Sequence, residues 1–357
     1  MKQLFKKRVF IDFVLKEWIV IISGVGLALT SFLTMRLPRF SQEEMEVLLI
    51  LFALFVTVQG LHTTGLIANL ARRIERGSNI PLKLTLGTFF LAMLITNDVT
   101  LVVIVPLTLS LQIRRKDVVV ILEALAANAG STLTPFGNPQ NLYLYWYYQI
   151  HPAAFLQTIA PFSLVFLLLL TGASLLIKTG PDLPAQASPP TIHRAAWAYG
   201  GLFLVLIVTI LHVLPVSVAA LVILVSVALD RSVLRVDYGI LATFLFFFGI
   251  TDNLKQVLTP GLQHAGHVFL MSILTSQFIS NVPAALLFAE FTPHWRVLLW
   301  GVSAGGFGSL FASLANLIAY KLYITHDSAK DLFPFTVKFL AMGYLALFIA
   351  IGLYYCL

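Results

Sequence analysis

Four short polar clusters interrupt otherwise apolar stretches of this chain: Thr96-Asn97-Asp98, Gly137-Asn138-Pro139-Gln140-Asn141, Ser280-Asn281, and Ser313 to Asn316. Their amides, hydroxyls and any freed carbonyls are hard oxygen ligands suited to a small cation such as sodium. Asn97, Asp98, Asn138 and Asn281 are thereby candidate Na+ ligands. Freed N–H groups at helix N-termini carry partial positive charge and suit an anion or a polar neutral solute. No Lys or Arg falls near any of these clusters, so an anion would be held by helix ends and co-bound cations. Asp98 is the one carboxylate among them. An ionisable group at membrane depth reads as a proton carrier or cation ligand. Its alternative role is to cap the helix that follows.

The elements that carry these clusters are broken helices. Gly130 to Asn141 contains Pro135, Gly137, Asn138 and Pro139 in the middle of one apolar segment. Lipid offers the backbone no hydrogen-bond partner, so such a break is tolerated only against protein or a water-filled cavity. Paired breaks in the two halves of a chain point to a transporter's binding site. Phe136-Gly-Asn-Pro-Gln-Asn-Leu-Tyr-Leu-Tyr145 aligns without gaps on Phe311-Ala-Ser-Leu-Ala-Asn-Leu-Ile-Ala-Tyr320, with Phe, Asn, Leu and Tyr identical. Asn97 and Asn281 could instead be simple turn formers, and Pro135 and Pro139 simple kinks. Recurrence in both halves and the flanking Gly and Asn favour a lined break.

Composition sets the class. Of 357 residues, 59% are hydrophobic and 11% charged, and the mean hydropathy is +0.90. A soluble domain could not hide that surface, so an all-α polytopic membrane protein is expected. The net charge of +7 lies in short loops, where it bears on topology and not on nucleic acid. The single cysteine, Cys356, leaves no basis for disulfides, thiolate metal sites or a Cys nucleophile.

In order, residues 1–16 read as a basic amphipathic lead-in, followed by spans at 17–35 and 45–62 and an interfacial helix at 64–76. Residues 81–113 hold two apolar arms around Asn97. Each arm is about 14 residues, or roughly 21 Å of helix, short of a hydrocarbon core of about 30 Å. That predicts a re-entrant hairpin. A broken span at 117–150 and a span at 154–177 complete a first repeat over 1–178. Residues 179–196 read as a proline-rich linker. The second repeat, 197–357, holds spans at 197–214, 216–229 and 238–251, an amphipathic piece at 252–266, a hairpin at 267–290, a broken span at 297–322 and a span at 333–355. With the N-terminus cytoplasmic and the C-terminus outside, nineteen of the twenty-three Lys and Arg fall inside, as the positive-inside rule requires. The repeats are then inverted, and both hairpin tips meet the broken helices near the midplane.

Other signals are weaker. Glu123 reads as an interfacial or interhelical pairing, with proton relay as its alternative, and Glu290 as a solvated carboxylate at the outer surface. Gly301-Val-Ser303-Ala-Gly305 matches the G-x-S-x-G nucleophile pattern. It lacks a strand–turn–helix setting and reads as small-residue helix packing. The histidines at 151, 264, 267, 294 and 326 fall at expected interfaces, without paired metal spacing.

Thr96-Asn-Asp-Val-Thr100 with Val105-Pro106, Leu133-Thr-Pro-Phe-Gly-Asn-Pro-Gln-Asn-Leu142, Ser280-Asn-Val-Pro283 and Ala315-Asn-Leu-Ile318 resemble the signatures of the ion transporter superfamily. The likeness spans nearly the whole chain and is nearest the citrate-transporter-like and arsenite-pump-like branches. It implies an elevator-type fold, a homodimer, and transport without a cofactor apart from Na+ as a coupling ion. Sodium/dicarboxylate members carry Ser-Asn-Thr at both tips, whereas this chain has Asp98 and Val282 in place of the threonines. Arsenite pumps share the Asn-Asp pair, for which proton coupling through Asp98 fits. Two functions follow as expectations. The first is a secondary active transporter in the cytoplasmic membrane, moving citrate, arsenite or another small anion with H+ or Na+. The second is a sodium/proton antiporter with Asp98 as the exchanging carboxylate. A channel and an intramembrane enzyme resting on Ser303 are the remaining, disfavoured readings.

Overall fold

The computed structural model describes residues 2–74, 79–111, 113, 115–177, 191–257, 265–326 and 332–357. Every long element among them is an α-helix. The linker expected at 179–196 lies mostly outside the described residues, as does the middle of the amphipathic piece at 252–266.

The first helix, α1 (Lys2–Thr34), runs unbroken through both the expected lead-in and the first span. The two are one element, because nothing between them breaks a helix: residues 2–34 contain no proline, and the first glycine is Gly24. Next, α2 (Gln42–Thr63) starts in a capping box. Glu44 N donates to Ser41 Oγ at 3.2 Å and Ser41 N to Glu44 Oε2 at 2.6 Å, which satisfies two N–H groups that the helix itself cannot. A short amphipathic α3 (Leu66–Ile74) follows.

The expected hairpin is α4 (Ile80–Ile95) and α5 (Asn97–Ser110). Its tip is the single residue Thr96, at φ 90°, a conformation that a β-branched side chain resists. The first broken span is α6 (Lys116–Ser131) and α7 (Pro139–Tyr147), with Asn138 capping α7 and Pro139 opening it, where a missing N–H costs nothing. Then comes α8 (Pro152–Leu175).

The second half begins with α9 (Ala195–Ile210), α10 (Ser217–Leu229) and α11 (Tyr238–Val257). Its hairpin is α12 (Ala265–Ile279) and α13 (Asn281–Ala289), turned at Ser280 with φ 77°. The second broken span is α14 (Trp295–Gly305) and α15 (Leu314–Ile324), and α16 (Leu332–Cys356) closes the chain.

Packing follows the same scheme in each half. Helix α4 lies on α6 as α12 lies on α14, and the second arms cross over, α5 onto α15 and α13 onto α7. The group formed by α1, α2, α9, α10 and α11 flanks this centre, with α1 packed along α11 and α2 against α9 and α10. Among the described residues, α2, α8 and α16 are each long and apolar enough to cross a membrane. Leu168, Leu224 and Phe348 are exposed on outer faces, an arrangement that lipid tolerates and water does not.

Candidate functional site

Each break is closed by the carboxamide of a corresponding Asn. At the first, Asn141 Nδ2 donates to the carbonyls of Ser131, Thr132 and Thr134 at 3.4, 3.0 and 3.2 Å. At the second, Asn316 Nδ2 donates to the carbonyls of Gly306 and Ser309 at 2.9 and 3.1 Å. Thr134 Oγ1 reaches Met93 O at 2.7 Å, and Ser309 Oγ reaches Gln277 O at 2.8 Å. Each hairpin tip is tied to a break by its backbone. Asn97 N donates to Gly137 O at 3.2 Å, and Asn281 N donates to Ala312 O at 2.9 Å. Backbone groups freed by the breaks are thus satisfied by the Asn141 and Asn316 side chains and by the tips, as burial demands.

All twelve expected binding residues lie in this centre. Thr96, Asn97, Asn138, Gln140, Asn141, Ser280, Asn281, Ser313 and Asn316 are buried. Gly137 has no room for a side chain, since a Cβ there would stand 2.2 Å from Ser131 O. Asn138 is committed to structure: its Oδ1 accepts from Asn141 N at 2.9 Å and its Nδ2 donates to Ser131 Oγ at 3.1 Å. Ser313 caps α15 in the same way, accepting from Ala315 N at 3.3 Å.

Asp98 sits in the first turn of α5, two residues beyond the cap Thr96, and its Oδ1 is buried without a partner among the described residues. The carboxylate borders two cavities. One, of about 230 Å³, reaches from Thr96 and Asp98 past Gln59 and His62 to Arg235 and Asp237. The other, of about 40 Å³, joins Asp98 to Pro139, Ser280, Pro283 and Leu314. Asp98 therefore stands where a path from one end of the bundle meets both hairpin tips. Arg235 in the wall corrects the expectation that no basic residue approaches the site. It comes from the turn before α11, remote in sequence and adjacent in space.

Two other expectations change or sharpen. Glu290 is not solvated: its side chain is 3% exposed, paired with Lys255 and accepting from Tyr147 Oη at 2.8 Å. Glu123 is fully buried and paired across helices with the Thr108 hydroxyl of α5. The G-x-S-x-G stretch is a packing face, because Cβ atoms at Gly301 and Gly305 would stand 2.0 Å from Ser272 Oγ and 2.6 Å from Ser276 Oγ.

Sequence reasoning missed Asn128. Its Nδ2 donates to Asn316 Oδ1 at 2.8 Å and its Oδ1 accepts from Ser313 Oγ at 2.9 Å. A longer contact, 3.5 Å, joins it to Asn97 Nδ2. One side chain on α6 thereby links the first tip to the second break. The available signal was a lone polar residue in an apolar run, 175 positions before Ser303, the same interval that relates the two breaks.

Comparison with known proteins agrees with this architecture. The family model described as Citrate transporter matches residues 10–305. An uncharacterized transporter of Methanocaldococcus jannaschii is 32% identical over 290 residues, 78% of this chain and 81% of that protein. An inner membrane protein of Escherichia coli K12 is 31% identical over 340 residues, 85% of this chain and 86% of its own length. With these matches over most of its length and its paired broken helices, the chain belongs to the Citrate transporter family of multi-pass membrane transporters.

Proposed function

We propose that the protein is a secondary active transporter of a small anion, a citrate-like carboxylate, arsenite or another oxyanion, coupled to H+ or Na+. The observation that carries this reading is Asp98, a carboxylate with an unpartnered oxygen at the meeting point of two hairpin tips and a cavity leading out of the bundle. Thr96, Asn97, Asn141, Ser280, Asn281 and Asn316 line or brace the binding region, and Asp98 carries the proton or ligates the cation. Arg235 meets the anion at the cavity mouth.

The matched hydrogen bonds of the two breaks support an inverted repeat, 1–178 and 197–357, about this centre. In the elevator-like mechanism, α4–α7 and α12–α15 move as one unit against α1, α2, α9, α10 and α11. The N-terminus is cytoplasmic, the C-terminus external, and the working unit in the inner membrane is a homodimer. The cavity at Arg235 then opens to the cytoplasm, and the Lys255–Glu290 end, where a second cavity of about 610 Å³ is lined by Arg39, Glu44, Asp252 and Glu290, faces outside.

A second reading is favoured by one observation: Asp98 and Asp237 place two carboxylates in a cavity with a single Arg. That balance suits cation exchange, a sodium/proton antiporter with no anion moved. Uptake of labelled citrate, arsenite and phosphate into proteoliposomes, with wild type and Asp98→Asn, tests the two. An anion transporter accumulates at least one of these anions, and Asp98→Asn removes the pH dependence of that uptake. Absence of uptake for every anion, together with Na+-driven proton movement that Asp98→Asn abolishes, overturns the first reading.

A further inference from the structure

The two cavities at Asp98 differ in what they can hold. The one between the tips, of about 40 Å³, has room for a few waters or a bare ion and not for an organic solute. The larger one, of about 230 Å³, has its polar side chains in two groups. Thr96 and Asp98 belong to the first hairpin tip, whereas Gln59 and His62 come from the end of α2 and Arg235 and Asp237 from the turn before α11. Among the described residues the rest of the lining is hydrocarbon, including Phe55, Val99, Val102, Ile240, Leu314 and Ile318. A solute without carbon of its own leaves those walls against water, and removing apolar surface from water is what favours association.

Charge narrows the solute further. Arg235 is the one permanent cation in this wall and makes no ion pair among the described residues. Asp237 is occupied at the start of α11, its Oδ1 accepting from Gly239 N at 2.9 Å. A single guanidinium pairs a single carboxylate through two parallel hydrogen bonds. A tricarboxylate would set its remaining charges against Asp98, Asp237 and hydrocarbon, where a charge without a partner is costly. Undissociated arsenite gains no ion pair from Arg235 and covers none of the apolar wall.

We propose that the solute recognised in this cavity is a monocarboxylate with an apolar body, its carboxylate on Arg235 and its hydrocarbon against the walls from α2, α5, α11 and α15. This names the substrate class of the transport reading and rests on it.

Calorimetric titration of straight-chain monocarboxylates into the purified protein, in detergent with NaCl at fixed pH, tests the proposal. From acetate to pentanoate the affinity rises about fourfold with each methylene, and it levels off once the cavity is full. Butanamide, which keeps the body of butanoate without its charge, binds about tenfold more weakly or worse, and so does butanoate to Arg235→Gln. Val99→Phe narrows the cavity and moves the best chain length down, whereas Ile318→Ala widens it and moves that length up. If one of these variants does not fold the other decides, and if neither folds the comparison with butanamide does. Citrate and arsenite bind more weakly than pentanoate. Affinity independent of chain length, an optimum unmoved by both wall variants, or citrate binding tighter than every monocarboxylate overturns the proposal. So does an affinity that keeps rising to dodecanoate and ignores Arg235→Gln, which makes the cavity a cleft for lipid chains. Chain-length-dependent binding with no uptake of the bound acid above protein-free vesicles would remove the transport reading and leave the site. Uptake of citrate or arsenite with no monocarboxylate binding would do the reverse.

Discussion

At the residue scale, Asp98 and Asn128 divide the work. Asp98 has an unpartnered oxygen and borders two cavities, the position that the proposed role with solute or proton requires. Asn128 is 4% exposed and spends its amide on Ser313, Asn316 and Ala124. Its work is positioning. Asn128→Ala strands the Ser313 hydroxyl donor and the Asn316 carboxamide oxygen, and each buried orphan costs about 1–3 kcal/mol. A melting temperature well below wild type, with substrate affinity falling more than expression, is the expected result. Asp98→Asn is nearly isosteric, leaves stability close to wild type and flattens the pH profile of transport. A pH profile that survives the substitution would remove Asp98 as the proton carrier.

At the element scale, the fold depends on how closely hairpins approach broken helices. A Cβ at Gly130 would lie 2.1 Å from the backbone carbonyl oxygen of Phe89, which cannot move without shifting α4. A Cβ at Gly301 would meet the end of the Ser272 side chain at 2.0 Å, which can rotate away. Gly130→Ala is therefore expected to prevent folding or to cost several-fold more stability than Gly301→Ala, measured side by side by thermal unfolding. Overpacking against immovable atoms has no cheap relief.

Much of this level was legible in the chain. Gly, Pro and Asn act locally, so the breaks at 132–138 and 306–313 and the tips at Thr96 and Ser280 could be placed from residue type and arm length alone. Asn128 was hidden because its partners are 185 and 188 residues away. Arg235 was hidden because the turn that brings it to Asp98, which ends the short helical stretch Arg231–Leu234, is held by packing on α2 and α10. Glu290 misled because a hairpin end suggests solvent, while Lys255 and Tyr147 close over it.

At the scale of the molecule, the two ends of the bundle differ. One end carries the ion pairs Arg36–Asp252 and Lys255–Glu290, with Tyr148 Oη bonded to the carbonyls of Ala289 and Thr292. The other opens beside Arg235 and Asp237 to the cavity at Asp98. Lys255 joins α11 to the end of α13, so this pair bridges the two groups of helices that an elevator would move apart. Its partners are unequal: the Glu290 side chain is 3% exposed and that of Lys255 46%. Removing Lys255 leaves a buried carboxylate, whereas neutralising Glu290 leaves an ammonium that water can reach. Lys255→Ala is thus expected to destabilise more than Glu290→Gln, by about 1–3 kcal/mol, and the exchange Lys255→Glu with Glu290→Lys to recover part of the loss. Equal effects of the two single substitutions in thermal unfolding would show the pair to be solvent-screened.

The account's central claim is that an anion moves through the site at Asp98, and lumenal pH in proteoliposomes under an imposed sodium gradient tests it most directly. The account predicts a flat trace until citrate, arsenite or another oxyanion is supplied, and then accumulation of that anion, with a pH change if H+ is the coupling ion. Proton movement against sodium with no anion present would contradict it and make the protein an antiporter.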